Sequence, residues 1–399
     1  MSKTTLEEIC ALIVDCKNRT PPEAPPGEGV AYAIGTPHIV DGRISINLAR
    51  PVTEETFATW TSRAVPEEDD IILTREAPVG RVARVEKGMR VCLGQRTMLI
   101  RTDKDKANHR FLEFLLKSSE VQNSLHAYAS GSTVPHLRVG QVRELEIPPL
   151  PQIHEQEAIA VTLGALDDKI AANERIAATA IELADARFSR EATEIDFGNE
   201  TFSSVAQVAG GGTPKTKEEE YWGGDIAWTT PTDVTALNSP YLFETSRRIT
   251  PLGLENCASQ IYPANSIFMT SRATIGAFAM PQFPAAVNQG FIVVLPPTED
   301  LRWWLFHEMR SRVDEMRSLA NGSTFLELSR KNFKAMPIRM PETEALQRFS
   351  ATVGPLHRRA CKAAAESRTL AELRDTLLPQ LMSGKLRVKD AEKIVEDNV

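Results

Sequence analysis

The chain has few cysteines and histidines and no long hydrophobic run. Its five cysteines are odd in number, scattered and never spaced as CxxC. This usage is typical of buried thiols in a reducing cytoplasm and offers no zinc framework. The seven histidines are equally scattered. No apolar run reaches the roughly 20 residues that span a bilayer, and the amino terminus has no signal-peptide core. We therefore expect a cytoplasmic protein with no membrane segment and no metal site.

Several catalytic motifs are missing as well. There is no GxxxxGK(S/T) loop and no GxGxxG after a strand. An amino-methyltransferase signature, (N/D)PP(Y/F), is approached only by Asn238-Ser239-Pro240-Tyr241, which lacks the paired prolines. The run Gly210-Gly211-Gly212-Thr213-Pro214-Lys215 is glycine-rich, but its spacing does not match a phosphate-binding loop. The acidic run Glu67-Glu68-Asp69-Asp70 is interpreted as a solvated turn rather than a nuclease metal site. The sequence thus predicts a chain that catalyses nothing by itself.

Negative charge is concentrated in one segment. The formal net charge is -7. Residues 151–196 carry 4 Lys and Arg against 10 Asp and Glu, whereas residues 1–150 carry 19 against 20 and residues 197–340 carry 13 against 14. The two flanking segments are near neutral, and a near-neutral body can still present a basic face. Composition therefore neither requires nor excludes a nucleic-acid partner.

A long helix is predicted over residues 152–190. It follows a proline-rich stop at Pro148, Pro149 and Pro151, because proline is not tolerated inside a helix. At about 1.5 Å per residue, the helix would be roughly 60 Å long. Its small and apolar residues recur at alternating steps of four and three, the spacing of a coiled-coil seam. They are Ile159, Leu163, Leu166, Ile170, Asn173, Ala177, Ala180 and Ala184.

The sequence also repeats itself at an offset of about 190–196 residues. Thr36-Pro37 is matched by Thr230-Pro231, residues 74–80 by residues 270–276, and Gln95 by Gln289. Residues 129–133 are matched by residues 320–324. Because the matches keep their order, they predict a duplicated unit, a mixed α/β domain followed by a long helix.

A second long helix is predicted from about residue 342. Its seam consists of Leu346, Phe349, Val353, Leu356, Ala360, Ala363, Ser367, Leu370 and Leu377. Pro355 lies inside it and is expected to kink the helix or remove one hydrogen bond. Two one-sided seams are best buried against each other, so we expect an antiparallel coiled coil with Asn173 as a register-setting polar residue. The alternative is that each helix packs separately on its own globular domain.

The predicted fold class is α+β, with two similar, strand-rich mixed α/β domains separated by the two antiparallel helices. The globular domains are placed at residues 1–150 and 197–340, the first helical arm at 151–196, and the second arm with its tail at 341–399. Residues 70–74 and 267–270 are predicted as short buried strands, and residues 109–126 and 300–319 as helices.

A family resemblance is carried mainly by the second half. The run GGGTPKTKEEEYWGGDIAWTTPTDV at residues 210–234, with Ser271-Arg272-Ala273-Thr274-Ile275-Gly276 and Asn288-Gln289-Gly290, resembles the specificity (S) subunits of type I restriction-modification enzymes. So do PPLPQIHEQEAIAVTLGALDDKIAANERI at residues 148–176 and Leu378-Pro379-Gln380-Leu381-Met382-Ser383-Gly384. The resemblance covers nearly the whole chain. The first domain departs from it, because Lys17-Asn18-Arg19-Thr20-Pro21-Pro22 replaces the Gly-Gly-Thr-Pro opening.

The resemblance implies a non-catalytic DNA-binding subunit. In that family each of two target-recognition domains reads one half of a split DNA sequence, and the paired helices set the spacing and dock methyltransferase (M) subunits. It implies double-stranded DNA, M subunits and ATP-dependent restriction (R) subunits as partners. S-adenosylmethionine, ATP and Mg²⁺ would belong to those partners, and this chain would hold no cofactor. Two other interpretations stay open: a stand-alone enzyme that modifies or cleaves DNA, and a coiled-coil adaptor that binds protein.

The candidate DNA-binding residues are polar side chains on turns that recur in both halves. An arginine can contact a guanine edge and a glutamine an adenine edge, or either can hold a phosphate. Arg75 and Arg272 are expected at matching positions, as are Gln95 and Gln289. The alternative is that such residues cap helices and stabilise turns, the role assigned to Thr213, Thr230, Pro231 and Trp222, with Trp222 as a core aromatic. The full DNA-binding set is Arg75, Gln95, Ser132, Thr133, Lys215, Arg272, Asn288, Gln289, Ser323 and Thr324.

Overall fold

The computed structural model describes residues 4–129, 135–322 and 326–398. It divides into two compact units, Met1–Asp168 with Leu370–Val399, and Lys169–Thr369. Each unit combines a globular domain with a portion of both long helices.

The first unit is built from short strands. They are β1 (Thr4–Thr5), β2 (Cys10–Asp15), β3 (Ala31–Ile34), β4 (Ile39–Val40), β5 (Arg43–Ile44), β6 (Arg50–Val52), β7 (Ile71–Arg75), β8 (Val79–Arg84), β9 (Val91–Leu93), β10 (Thr97–Thr102) and β11 (Glu146–Ile147). Its short helices are α1 (Glu54–Trp60), α2 (His109–Lys117), α3 (Ser119–Tyr128) and α4 (Val139–Arg143). An antiparallel sheet has the order β2-β10-β7-β8, and a second sheet has the order β6-β3-β9. Strands β3 and β9 run parallel, and β1 pairs with β11.

The helix predicted over residues 109–126 is in fact two helices. Ser118 separates α2 from α3 because its backbone is extended, with φ -64° and ψ 147°. Its hydroxyl donates to the carbonyl of Leu115 at 2.7 Å. A serine that bonds locally to the backbone in this way competes with helix continuation. The strand predicted at residues 70–74 is confirmed as β7.

The first long helix, α5, spans Ile153–Ala192. All eight predicted seam residues are buried, from 0% exposure at Leu163 and Ala184 to 7% at Ile170 and Ala180. The four-three spacing therefore identified the buried face of this helix correctly.

The second unit repeats the strand plan of the first. Its strands are β12 (Phe197–Thr201), β13 (Gln207–Gly210), β14 (Trp222–Thr229), β15 (Tyr241–Leu242), β16 (Arg247–Ile249), β17 (Ile267–Thr270), β18 (Phe278–Pro281), β19 (Ala286–Val287), β20 (Phe291–Leu295) and β21 (Pro337–Arg339). The sheet β13-β20-β17-β18-β15 contains the equivalent of β2-β10-β7-β8, and β16-β14-β19 is equivalent to β6-β3-β9. Strands β14 and β19 are again parallel, and β12 pairs with β21 as β1 does with β11. This correspondence confirms the duplication.

Short helices complete the second domain. They are α6 (Phe202–Val205), α7 (Pro231–Thr235), α8 (Pro251–Glu255), α9 (Glu299–Ser311), α10 (Val313–Ser318) and α11 (Arg330–Ala335). The helix predicted over residues 300–319 is interrupted at Arg312, which leaves helical geometry at φ -119° and ψ 21°. The Arg312 guanidinium is held there by Glu308 and Glu315 at 3.0 and 2.7 Å.

The second long helix, α12, spans Thr343–Met382 and is followed by α13 (Val388–Asn398). It continues through Pro355, whose side chain is exposed. Proline has no N–H, so one helical hydrogen bond is necessarily absent there. The seam residues Phe349, Val353 and Ala360 are each 0% exposed, whereas Leu346, Leu356 and Ser367 are half-buried.

The two long helices pair antiparallel, as predicted. In the second unit Ser367 donates to the carbonyl of Ile170 at 3.5 Å, and the Phe188 ring lies 6.1 Å from the ring of Phe349. Residue numbers thus rise along α5 as they fall along α12. Asn173 is 2% exposed and its amide donates to Glu366 at 3.0 Å. A buried polar pair of this kind favours one register over others.

The same helices also pack on the second globular domain. Ala184 and Phe188 of α5 and Val353 of α12 belong to one buried cluster with Trp304 and Met309 of α9. Pairing with each other and packing on a domain, set out above as alternatives, therefore occur together in this unit.

Candidate nucleic-acid interface

In each globular domain a polar turn follows the second strand of a parallel pair, β9 in the first domain and β19 in the second. In the first unit Ile34 lies opposite Leu93, and the N–H of Gly94 then donates to the carbonyl of Ile34 at 2.8 Å. In the second unit Thr229 lies opposite Val287. The N–H of Asn288 donates to the carbonyl of Thr229 at 3.1 Å. The next residue is Gln95 in one turn and Gln289 in the other, which confirms that these two glutamines are equivalent.

Both glutamines are joined to a threonine from a distant loop. The Thr20 hydroxyl donates to Oε1 of Gln95 at 3.2 Å, and the Thr213 hydroxyl donates to Oε1 of Gln289. Each threonine precedes a proline. We call these the two Thr–Gln pairs. Asn288 has a different role, because its side-chain oxygen accepts the N–H of Gly290 at 2.8 Å and shapes the turn.

Close backbone contacts explain the glycines before Thr213. A Cβ on Gly211 would lie 1.9 Å from the carbonyl oxygen of Val287, and one on Gly212 would lie 2.6 Å from the amide nitrogen of Ala258. Any larger residue would push the loop away from β19. Glycine here therefore serves to hold the Thr213 loop against the Gln289 turn. Lys215, two residues after Thr213, is exposed.

A tryptophan and a cation accompany each Thr–Gln pair. The Trp60 indole N–H donates to the carbonyl of Arg19 at 3.4 Å, with the Lys17 ammonium 5.4 Å from its ring centre. The Trp222 indole N–H donates to the carbonyl of Lys215 at 3.3 Å, with the Arg247 guanidinium 3.6 Å from its ring centre. Cations at these distances are attracted to the ring face.

The prediction that Trp222 is a core aromatic was wrong. Trp222 is half-buried, and the core position is taken by Trp228, which is 2% exposed. The two rings meet edge to face at 5.0 Å. Thr230 and Pro231 do have the predicted structural role, because they cap and begin α7, with Thr230 accepting from the N–H of Asp233.

Arg75 and Arg272 are not at matching positions, contrary to the prediction. The alanines with left-handed backbone, Ala77 at φ 51° and Ala273 at φ 61°, align the two loops. This alignment matches Arg75 to Ser271 and Arg272 to Glu76. The backbone agrees, since the carbonyls of Arg75 and Ser271 each accept an N–H at 2.9 Å, from Leu137 and Leu328.

The two arginines consequently differ in availability. The Arg75 side chain is 17% exposed, and its guanidinium pairs with Asp15 at 2.7 Å. The Arg272 side chain is 46% exposed, and its nearest carboxylate, Glu327, is 3.9 Å away. Arg272 is therefore free to bind a ligand, whereas Arg75 is engaged within its own domain. The candidates Ser132, Thr133, Ser323 and Thr324 lie outside the described residues.

A buried polar chain connects both long helices to the second globular domain. The Asp185 carboxylate contacts Nδ1 of His307 at 2.6 Å and Arg310 at 2.8 Å. Nε2 of His307 lies 2.9 Å from Nε2 of His357, and Nδ1 of His357 lies 2.9 Å from the Tyr241 hydroxyl. We call these residues the histidine chain. Sequence reasoning missed it, because its members are far apart in the sequence.

Burial and pairing shift the pKa values in the histidine chain. Burial raises the pKa of Asp185, but hydrogen bonds from His307 and Arg310 outweigh it and lower that pKa to about 2. Burial lowers the pKa of His307, opposed by Asp185. Burial, and then the neighbouring His307, hold the pKa of His357 well below its ordinary value. Both imidazoles are therefore neutral near pH 7, since each group favours the form its environment stabilises.

Among the described residues no three His, Cys, Asp or Glu side chains are grouped as they would be around a metal ion. Within residues 4–129, 135–322 and 326–398, every helix is too short or too polar to cross a membrane. The five cysteines are free thiols, of which Cys16 and Cys92 are buried and the other three half-buried. Burial raises the pKa of the Cys92 thiol to about 11, which makes it unreactive.

The duplicated domains, paired helices and matched polar turns define a protein built from two similar domains and two long antiparallel helices. Residues 3–181 and 195–356 each match the family model described as the type I restriction modification DNA specificity domain. Since these matches span well over half of the chain, the protein belongs to that family.

Similar proteins carry related names. The MjaIX type I restriction enzyme specificity subunit of Methanocaldococcus jannaschii is 33% identical over 173 residues, 41% of this chain and 40% of that protein. The HindI specificity subunit of Haemophilus influenzae is 26% identical over 187 residues, 46% of this chain and 40% of that protein. This chain thus spans about 40% of the length of these curated relatives. The crystal structure of a type I restriction-modification S subunit from M. genitalium has the same fold, with a TM-score of 0.56 at 18% identity over 95% of each chain.

Proposed function

We propose that this chain is a non-catalytic, sequence-specific DNA-binding specificity subunit of a type I restriction-modification system. The observation that carries the proposal is the pair of equivalent polar turns, one per domain, each flanked by a tryptophan and a cation. Two similar recognition domains suit a bipartite DNA site, in which each domain recognises one half.

The candidate DNA-contacting side chains divide into two kinds. Lys17, Lys215 and Arg247 carry charge beside the Thr–Gln pairs, where a phosphate would be neutralised without regard to sequence. Arg272 and the two glutamines carry the directional donors that read base edges. Arg75 acts indirectly, by holding its domain together through Asp15. This division predicts a modest, salt-dependent general affinity and a separate sequence-dependent term.

The paired helices have a role that the domains do not. We propose that they set the gap between the two half-sites and dock methyltransferase (M) subunits, two of them in the simplest arrangement. Restriction (R) subunits would add ATP-dependent translocation and cleavage. S-adenosylmethionine, ATP and Mg²⁺ would be used by those partners, and the assembly would protect the cytoplasm against foreign DNA.

A selection experiment tests the proposal. The chain, assembled with M subunits, is incubated with duplexes of random sequence, and bound duplexes are sequenced. We expect enrichment of two short sequences at a constant separation. The chain alone should bind DNA weakly and transfer no methyl group from S-adenosylmethionine. Enrichment of one continuous sequence, or methyl transfer by the isolated chain, would contradict the proposal.

A further inference from the structure

We propose that each Thr–Gln pair fixes its glutamine as a hydrogen-bond donor toward DNA. In this arrangement Gln95 and Gln289 recognise an acceptor atom, such as guanine N7 or O6 or a phosphate oxygen. An oxygen already held by the threonine is less available for the donor-and-acceptor contact by which a free glutamine reads adenine. Thr20 and Thr213 are then positioning residues. The inference rests on the proposed function and adds to it the chemistry that the matched turn can recognise.

The direction of the hydrogen bond carries the argument. A glutamine amide has one oxygen with two acceptor positions and one NH₂ group with two donor positions. In both units the threonine hydroxyl donates to the glutamine oxygen, Oε1. Among the described residues, the Nε2 groups of Gln95 and Gln289 make no hydrogen bond. The threonine thus occupies one of the two acceptor positions of each oxygen, whereas both donor positions of each NH₂ group stay available to a ligand.

The pair is not needed to satisfy a buried group. Thr20 and Gln289 are exposed, and Gln95 and Thr213 are half-buried. Water could satisfy all four side chains, so one such bond adds little to folding stability. A fixed orientation does benefit binding, because a side chain already held in its bound geometry loses less freedom when a ligand arrives.

The pair recurs although its surroundings differ between the two domains. Three glycines precede Thr213, whereas Lys17-Asn18-Arg19 precede Thr20. In both domains a tryptophan N–H donates to the carbonyl of a basic residue within two positions of the threonine, Arg19 in one and Lys215 in the other. Two different loops thus present the same amide beside positive charge, which attracts a polyanion.

The Gln289→Glu substitution distinguishes loss of the N–H donor from loss of the Thr–Gln pair. Gln289→Glu has nearly the same shape and still accepts from Thr213, but it has no N–H. Gln289→Met removes the donor without adding charge. Thr213→Val removes the hydroxyl, and Thr213→Ser restores it. Gln207→Glu is the charge control, since Gln207 is exposed at the opposite end of β13 from the Thr213 loop.

The assay is the sequence selection described above, followed by binding titrations on the selected duplex with the chain assembled with its M subunits. Both Gln289 variants should weaken binding roughly tenfold, the effect of losing one directional contact. Thr213→Val should relax the preference for one half-site, and Thr213→Ser should recover it. Substitutions of Gln95 should act only on the other half-site. Gln207→Glu should bind as the wild type does.

Each outcome has a defined meaning. A loss confined to one base pair assigns the acceptor to that base, and an equal loss on every sequence assigns it to a phosphate; both support a donor role. Wild-type affinity and selectivity in both Gln289 variants would overturn the inference. It would also be overturned if Thr213→Val lowered the Tm while both the DNA affinity and the sequence preference stayed intact. A wild-type chain that selects no bipartite sequence would instead refute the proposed function.

Discussion

The histidine chain gives a prediction that does not depend on DNA. Asp185→Ala leaves the His307 N–H and the Arg310 guanidinium without their shared acceptor. Removing one partner of a buried charged pair costs about 3–5 kcal/mol. Because the Asp185 side chain is 34% exposed, solvent recovers part of that loss, and we expect a destabilisation of about 2–3 kcal/mol. In a domain of this size the corresponding fall in Tm is about 5–10 °C.

Urea unfolding followed by tryptophan fluorescence measures the loss. Four of the five tryptophans, Trp222, Trp228, Trp303 and Trp304, lie in the second unit, so the signal reports mainly on it. Asp314→Ala is the matched control, because that carboxylate is 97% exposed and its loss should leave the midpoint unchanged. Equal stability of Asp185→Ala and the wild type would refute the view that the histidine chain holds the long helices to the second globular domain.

The same histidines determine a pH dependence. The pKa values of both histidines are lowered in the folded state. Below about pH 6.5 these histidines are therefore protonated in the unfolded chain while they remain neutral in the folded chain. The stability of the second unit should therefore fall from pH 7 to pH 5. Asp185 affects stability at lower pH, because its pKa falls from about 3.8 in the unfolded chain to about 2 in the folded chain. Its stabilising contribution is present above about pH 3.8 and is lost as the pH falls toward 2. Equal or greater stability at pH 5 than at pH 7 would mean that the folded chain holds a proton.

Three further predictions concern ion pairs and helix length. Glu308→Gln should destabilise the second unit by about 3 kcal/mol, since the 0% exposed Glu308 carboxylate pairs with two arginines; thermal unfolding measures this, and an unchanged Tm would contradict it. Arg75→Ala should lower the Tm. Arg272→Ala should leave the Tm unchanged and, if Arg272 contacts a base, weaken recognition of one half-site by about 1–3 kcal/mol. The reverse pattern in melting and DNA-binding assays of both variants would refute the roles given to the two arginines. Adding seven residues to both long helices, after Asp168 and before Leu370, should lengthen the gap between half-sites by about three base pairs. Seven helical residues rise roughly 10 Å, and one base pair rises about 3.4 Å. Selection from random duplexes measures the gap, and an unchanged gap would show that the helices do not set it.

The large features of the fold could be predicted because they are periodic or repeated. The seam of α5 is visible in the spacing of Leu163, Ile170 and Ala184, and the duplication in residues 74–80 and 270–276. Helix ends were predicted less well. Ser118 and Arg312 interrupt helices through local backbone bonds and ion pairs that leave hydrophobic periodicity unchanged.

The candidate site was only partly predictable. Gln95 and Gln289 were found because they match each other in the repeat, whereas the threonines that hold them come from distant loops. Arg75 was matched to Arg272 on residue type, although the match of residues 74–80 with residues 270–276 already pairs Arg75 with Ser271. The left-handed alanines confirm this one-residue difference. The histidine chain draws on residues 185, 241, 307 and 357, so no local pattern points to it.

The central claim is that this chain directs methylation to a bipartite DNA sequence. Genome-wide methylation sequencing of cells that express it with its M subunits, compared with cells that lack it, tests this directly. We predict methylated bases within one two-part motif with a fixed central gap, and loss of selectivity for one part of the motif in Arg272→Ala. A continuous motif, or no new methylation with M subunits that are active with another specificity subunit, would contradict the account.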